Sequence, residues 1–261
     1  MRSFKPALLL LSIFTYIVLG LIVNLLVAFA CPVLSFNIMS NLNKLLSICA
    51  RKIFAVKLII TGEASYLKER GNFIIANHLS YLDGIILSSL FPLIFVTKLQ
   101  VKKWPVIGWM SQVGHTIFID RQRRLRSIES IEKIRDLLKK GINVLFFPEC
   151  TSTDGSRILP FNAAYFQAPL DAGAAVIPVT IQYTKLDSQD VSLLNRDRVF
   201  WYGQVEFPDH LFRLFKLKNI EARIIIHPKI EAKSYVNQVD SRKQISEHSR
   251  QIISKDFSYI T

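Results

Sequence analysis

Between Ala7 and Ala30 the chain reads ALLLLSIFTYIVLGLIVNLLVAFA, without a charge and with Asn24 as its one strongly polar side chain. No other feature restricts the fold as much. A backbone that leaves water must satisfy its own hydrogen bonds, and a helix does so within one segment. At about 1.5 Å per residue the run reaches roughly 36 Å, enough to cross a hydrocarbon core of ~30 Å with some tilt. Arg2 and Lys5 precede it, which keeps the amino terminus cytoplasmic by the positive-inside rule. A cleaved signal peptide is the competing reading, because Ala28-Phe29-Ala30 fits an A-x-A cleavage site and Cys31 follows directly. The apolar run far exceeds the ~7–15 residues of a signal core, which favours a retained anchor.

Pro32 to Ala50 is half apolar and carries no charge before Lys44; then Arg51, Lys52 and Lys57 arrive together. Keeping these cytoplasmic conflicts with one simple crossing from a cytoplasmic terminus. A two-helix hairpin or a shallow, non-spanning insertion satisfies both ends. Residues 1–56 are therefore read as a membrane-anchoring helical segment and residues 57–261 as the functional domain.

Half of the 261 residues are hydrophobic, which fills a core and excludes a disordered or low-complexity chain. Lys and Arg outnumber Asp and Glu by 33 to 20, a net charge of +13 that calls for an anionic partner. Beside a membrane anchor, that partner is an anionic membrane surface. The cluster Arg121-Gln122-Arg123-Arg124-Leu125-Arg126 belongs to no recognisable nucleic-acid module and reads as a basic rim, so no nucleic-acid partner is expected. Cys31, Cys49 and Cys150 are odd in number and without metal-ligand spacing, which points to a reduced compartment and no disulfide scaffold.

Beyond the anchor, apolar and β-branched runs alternate with helical periodicity. The predicted strands are Val56–Thr61, Phe73–Asn77, Leu93–Thr97, Thr116–Ile119, Asn143–Phe147, Ala175–Ile181 and Arg223–His227. Several are apolar throughout, as a sheet covered on both faces requires. Leu125, Ile128, Ile131, Ile134 and Leu138 recur at helical spacing before Gly141, and further helices are predicted at Tyr81–Leu90, Val101–Val113, Asn162–Asp171 and Ser241–Lys255. The alternation predicts an α/β fold with a mixed, mostly parallel sheet flanked by helices.

Two polar blocks follow predicted strands. In Asn77-His78-Leu79-Ser80-Tyr81-Leu82-Asp83, Ser80 and Asp83 have the spacing of a capping box. Five residues apart on a continuous helix, His78 and Asp83 would diverge by ~140°; they converge only if the chain bends at the cap. His78 then suits a general base and Asp83 its orienting acid. Taken alone, a capping aspartate beside a structural histidine explains the pair equally well. The second block, Phe147-Pro148-Glu149-Cys150-Thr151-Ser152-Thr153-Asp154-Gly155, supplies hydroxyls and N–H groups suited to an oxyanion or phosphate.

The two blocks together resemble the membrane-bound glycerolipid acyltransferases, especially bacterial 1-acyl-glycerol-3-phosphate acyltransferases. Asn77 to Asp83 resembles the family's N-H-x-S-x-x-D. Gly114-His115-Thr116-Ile117-Phe118-Ile119-Asp120-Arg121 resembles its second block, Phe147 to Ser152 its F-P-E-G-T-R-S, and Val176-Ile177-Pro178-Val179 its proline-centred fourth. Lys98 and Trp104-Pro105-Val106-Ile107-Gly108 resemble the segment between the first two. The resemblance spans roughly residues 57–185. It implies catalysis by His78 and Asp83 and substrate binding by Arg121, Glu149, Thr151 and Lys98. Two positions depart from the pattern: Cys150 stands for the family's glycine and Ser152 for its phosphate-binding arginine, with Arg157 a candidate substitute.

The activity so implied is transfer of a fatty acyl group from acyl-CoA or acyl carrier protein to the hydroxyl of a lysophospholipid, with no metal or other cofactor. The acceptor expected first is 1-acyl-sn-glycerol-3-phosphate, giving phosphatidic acid. The loss of the arginine at position 152 motivates another acceptor, such as lyso-ornithine lipid. A non-catalytic, membrane-anchored basic binding module is the remaining alternative. The expected location is the bacterial inner membrane, with the catalytic domain on its cytoplasmic face.

Overall fold

The structure is a computed structural model that describes residues 4–120, 124–236 and 238–260, and the side chains of 124–126 lie outside the description. It opens with two helices, α1 (Lys5–Leu26) and α2 (Pro32–Ile53), then β1 (Val56–Gly62), β2 (Phe73–Ala76), α3 (Tyr81–Leu90), β3 (Ile94–Lys98) and α4 (Ile107–Val113). There follow β4 (Ile117–Ile119), α5 (Arg124–Lys139), β5 (Val144–Phe146), α6 (Gln167–Ala172), β6 (Ala175–Leu186) and β7 (Gln189–Asp190). The chain closes with α7 (Phe207–Phe215), β8 (Ile220–Ile226), β9 (Ile230–Glu231) and α8 (Ser241–Lys255).

One mixed sheet runs in the order β1-β8-β6-β2-β5-β3-β4. Every neighbouring pair along it is parallel except β6 with β8; β7 and β9 pair with β6 antiparallel. Phe73, Ile74, Ile75 and Ala76 of β2 are wholly buried, as a central strand covered on both faces demands. The proline-centred block lies within β6. Pro178 falls where the flank of that strand passes from β9, at Val176, to β8, at Val179, a break in the ladder that tolerates a residue without an N–H.

At the amino terminus the two helices form a hairpin. Tyr16 donates to Asn43, and Gly20 lies against Met39, so the chains run antiparallel. α2 packs on α3, and its small and polar Ser35, Ser40, Asn43 and Ser47 are buried. Lys44 Nζ donates to the Leu90 carbonyl at the end of α3, 2.9 Å away. α1 covers α2 and α4 and leaves Leu10, Phe14 and Leu25 exposed.

Two helical expectations are corrected. Val101–Val113 is not one helix: a 3₁₀ turn over Leu99–Lys103 stops at Trp104, and α4 begins at Ile107. Pro105 holds Trp104 extended, and Val106 sits at a left-handed φ of 62°. Likewise, Asn162–Asp171 opens as a 3₁₀ turn over Ala163–Phe166 before α6. α7 is not among the predicted helices, although Phe207, Leu211, Leu214 and Phe215 stand at helical spacing.

Candidate active site

The polar blocks meet because the strands that carry them are neighbours. β2 and β5 run parallel with Ile75 opposite Phe146, so the segments after them leave the same sheet edge side by side. β3 follows β5 in the order, bringing Lys98 to that edge. Open α/β sheets bind ligands at this carboxyl edge.

Asn77 extends the ladder beyond the end of β2. Its amide donates to the Ile181 carbonyl (2.9 Å) and accepts from the Ile181 N–H (2.8 Å), fixing the chain just before His78. α3 starts at a complete capping box formed by Ser80 and Asp83. The wholly buried Asp83 accepts from the Leu79 N–H (2.6 Å), the Ser80 N–H (2.8 Å) and His78 Nδ1 (2.9 Å) through one oxygen. Its other oxygen accepts from the Tyr183 hydroxyl at 2.7 Å. A carboxylate that already takes two backbone N–H groups acts as an acceptor, so Nδ1 carries the hydrogen and Nε2 keeps its lone pair. The capping and orienting readings of Asp83 are thus both satisfied by one carboxylate.

The His78 ring stacks on Phe147, with centroids 4.1 Å apart and 16° between planes, and its side chain stays 19% exposed. Its backbone is clamped from the second block. Glu149 accepts from the His78 N–H (2.8 Å) through one oxygen and from the Leu159 N–H (2.8 Å) through the other, while the Thr153 N–H donates to the His78 carbonyl (2.9 Å). Burial pushes Glu149 up to about 7, against the pull of those two N–H donors. Cys150, in the family's glycine position, occupies φ 59°, the left-handed region that glycine enters at little cost. Thr151 is exposed, and neither its N–H nor its hydroxyl donates to another group among the described residues. Ser152 is half-buried, and its hydroxyl donates to the Trp201 carbonyl.

Of the other expected residues, Lys98 is exposed with its ammonium 5.6 Å from the Trp201 ring and 5.9 Å from the Trp104 ring. Arg157 is exposed on the loop that delivers the Leu159 N–H to Glu149, without an ion pair among the described residues. Arg121 lies outside the described residues. Sequence reasoning missed Tyr183 and Trp201. The first carried a signal, since a tyrosine within a buried strand must find a partner for its hydroxyl. Trp201 stands in a loop without a motif.

An acyltransferase family model matches residues 57–182. The 1-acyl-sn-glycerol-3-phosphate acyltransferase of Neisseria meningitidis is 33% identical over 187 residues, covering 71% of each chain. A lyso-ornithine lipid O-acyltransferase of Rhodobacter capsulatus is 31% identical over 172 residues, covering 64% of this chain and 60% of that one. In fold, the crystal structure of a 1-acyl-sn-glycerophosphate acyltransferase from Thermotoga maritima superposes with a TM-score of 0.63 at 19% identity, covering 98% of this chain and 97% of the other. Together with an ordered His-Asp pair at the sheet's carboxyl edge, these likenesses show that the chain belongs to the acyltransferase family and is an enzyme of that kind.

Proposed function

We propose that the protein is a membrane-bound O-acyltransferase that moves a fatty acyl group from acyl-CoA or acyl carrier protein to the free hydroxyl of 1-acyl-sn-glycerol-3-phosphate. The observation that carries this reading is the His78–Asp83 pair, with Nδ1 bonded to a saturated carboxylate and Nε2 left to act as a base. In the proposed reaction Nε2 takes the hydroxyl proton as the oxygen attacks the thioester carbonyl carbon. The tetrahedral oxyanion meets the N–H and hydroxyl of Thr151. Its collapse breaks the carbon–sulfur bond, and the leaving thiolate takes the proton back from the imidazolium. An oriented base typically contributes about 10²–10⁴-fold and an oxyanion donor about 3 kcal/mol. The donor thioester supplies everything else, so no cofactor is required. Lys98, Arg121 and Arg157 are assigned to the acceptor phosphate.

The apolar outer side of α1 is assigned to lipid and the domain to the cytoplasmic face of the inner membrane, where the acyl donors are. Support comes from α1, 22 residues long with an 18-residue stretch of mean hydropathy 2.5, and from the basic residues Arg51 and Lys52 ending α2. A second acceptor, lyso-ornithine lipid, is motivated by Ser152, which stands where the family pattern has an arginine. The test is acyl transfer by His78→Ala in mixed micelles. Turnover is expected to fall at least 10²-fold with folding and membrane association intact; unchanged turnover would rule out His78 as the base.

A further inference from the structure

The family match ends at residue 182, yet the mouth of the site is walled by residues beyond it. The Trp201 N–H donates to the Leu79 carbonyl (2.9 Å), one residue from His78, and the Trp201 carbonyl accepts from Ser152. Two further contacts fasten the same loop to the second block. Arg196 donates to the Asp154 carbonyl (2.9 Å) and pairs with its carboxylate (3.1 Å). Gly155, at φ 80°, lies so close to Phe200 that a Cβ there would sit 2.7 Å from the ring. The loop is therefore mounted on the catalytic segments rather than draped over them. The Trp201 indole forms one partly exposed aromatic cluster with Trp104 (5.8 Å), Tyr81 (5.7 Å) and Phe207 (6.2 Å), and the Lys98 ammonium faces both tryptophans.

We propose that Trp201, held by Ser152, is a specificity-determining residue that limits the acceptor to a lysolipid with a compact anionic head group. This inference rests on the acyltransferase reading and deepens it. The physical reason is space. Where the family pattern places a long guanidinium reaching towards phosphate, this chain has a short hydroxyl that turns inward and fixes a rigid indole beside Lys98. In this proposal a head group meets the ammonium beside the aromatic faces, and the indole is the group that a larger substituent would have to displace.

The experiment measures kcat/KM of the full-length protein in mixed micelles with lysophosphatidic acid, lyso-ornithine lipid and lysophosphatidylglycerol. Trp201→Ala should raise the ratio for lysophosphatidylglycerol over lysophosphatidic acid about tenfold, the scale on which pocket shape discriminates. The KM for the acyl donor should not move. Trp201→Phe should restore the wild-type ratio. Ser152→Ala should shift it in the same direction by less, and it carries the test if Trp201→Ala does not fold. An unchanged ratio in a folded, active variant would overturn the proposal. So would an equal loss with every acceptor, or a loss confined to vesicle binding, which would make Trp201 an interfacial anchor. Failure of the underlying reading looks different: the wild type would acylate none of the three lipids above the His78→Ala background.

Discussion

Asp83 combines two duties that are usually separate, and each can be measured. As the N3 residue of a capping box it takes the Ser80 N–H, and as the partner of His78 it orients the imidazole. Asp83→Asn cannot stabilise an imidazolium, so turnover per folded molecule should fall about 10²-fold or more with little change in substrate affinity. A loss of thermal stability at constant turnover would leave only the capping duty. Glu149 gives a second prediction, through pH. Burial pushes it up to about 7 in the fold from an ordinary 4.5. Between those values the native protein holds a proton that the unfolded chain has released, so stability falls as pH rises through the window. A shift of this size corresponds to about 3 kcal/mol. The stability of wild type relative to Glu149→Gln should therefore be greatest below pH 4.5, decline towards pH 7 and be flat above it. Parallel pH courses for the two proteins in thermal melts would contradict this.

At the scale of elements, the hairpin is sized by one glycine. A Cβ on Gly20 would meet Val113 Cγ1 at 2.3 Å and Met39 Cε at 3.1 Å, so α1 can approach α2 and α4 only without a side chain there. Gly20→Leu should lower the thermal midpoint by several degrees, as overpacking costs about 1–3 kcal/mol. Its membrane partition should be unchanged, because the apolar surface of α1 remains; a loss of partition would mean that the docked hairpin itself is the anchor. Elements whose own residues fix them were legible in the sequence. Tyr81–Leu90 and Ser241–Lys255 match their predicted bounds, and the seven predicted strands all lie in the sheet. The rest depends on partners distant in sequence. α7 is only nine residues, so the helical spacing of Phe207, Leu211, Leu214 and Phe215 covers little more than two turns and is easily passed over. β6 runs to Leu186, beyond its apolar stretch, because β8 supplies a ladder as far as Ile220. In the site, the His-Asp pair was readable from spacing and the cap. Tyr183, whose buried hydroxyl signalled only that it needed a partner, reaches Asp83 from 100 residues away through the strand order, and Trp201 arrives from a loop where local pattern carries no signal.

For the whole molecule, the question is which force holds it at a membrane: the +13 charge or the uncovered side of the hairpin. Leu8, Leu10, Leu11, Phe14, Leu25 and Leu26 are each more than half exposed on α1. Burying six such side chains in lipid is worth on the order of 10 kcal/mol. Lysines and arginines near an anionic surface contribute about 1 kcal/mol each, but only those that reach it count, and salt screens them. The two ends of the hairpin lie together on the domain side: Lys5 donates to the Leu217 carbonyl (2.9 Å), and Arg51 bonds the Val56 carbonyl (3.2 Å) as α2 leaves for β1. On these magnitudes, apolar area is expected to retain the molecule and charge to orient it. Washing membranes with ~1 M salt, where the screening length drops to about 3 Å, should leave the protein bound, and detergent should release it. Release by salt alone would mean that the basic surface supplies most of the attachment and that the exposed side of α1 is covered by something other than lipid.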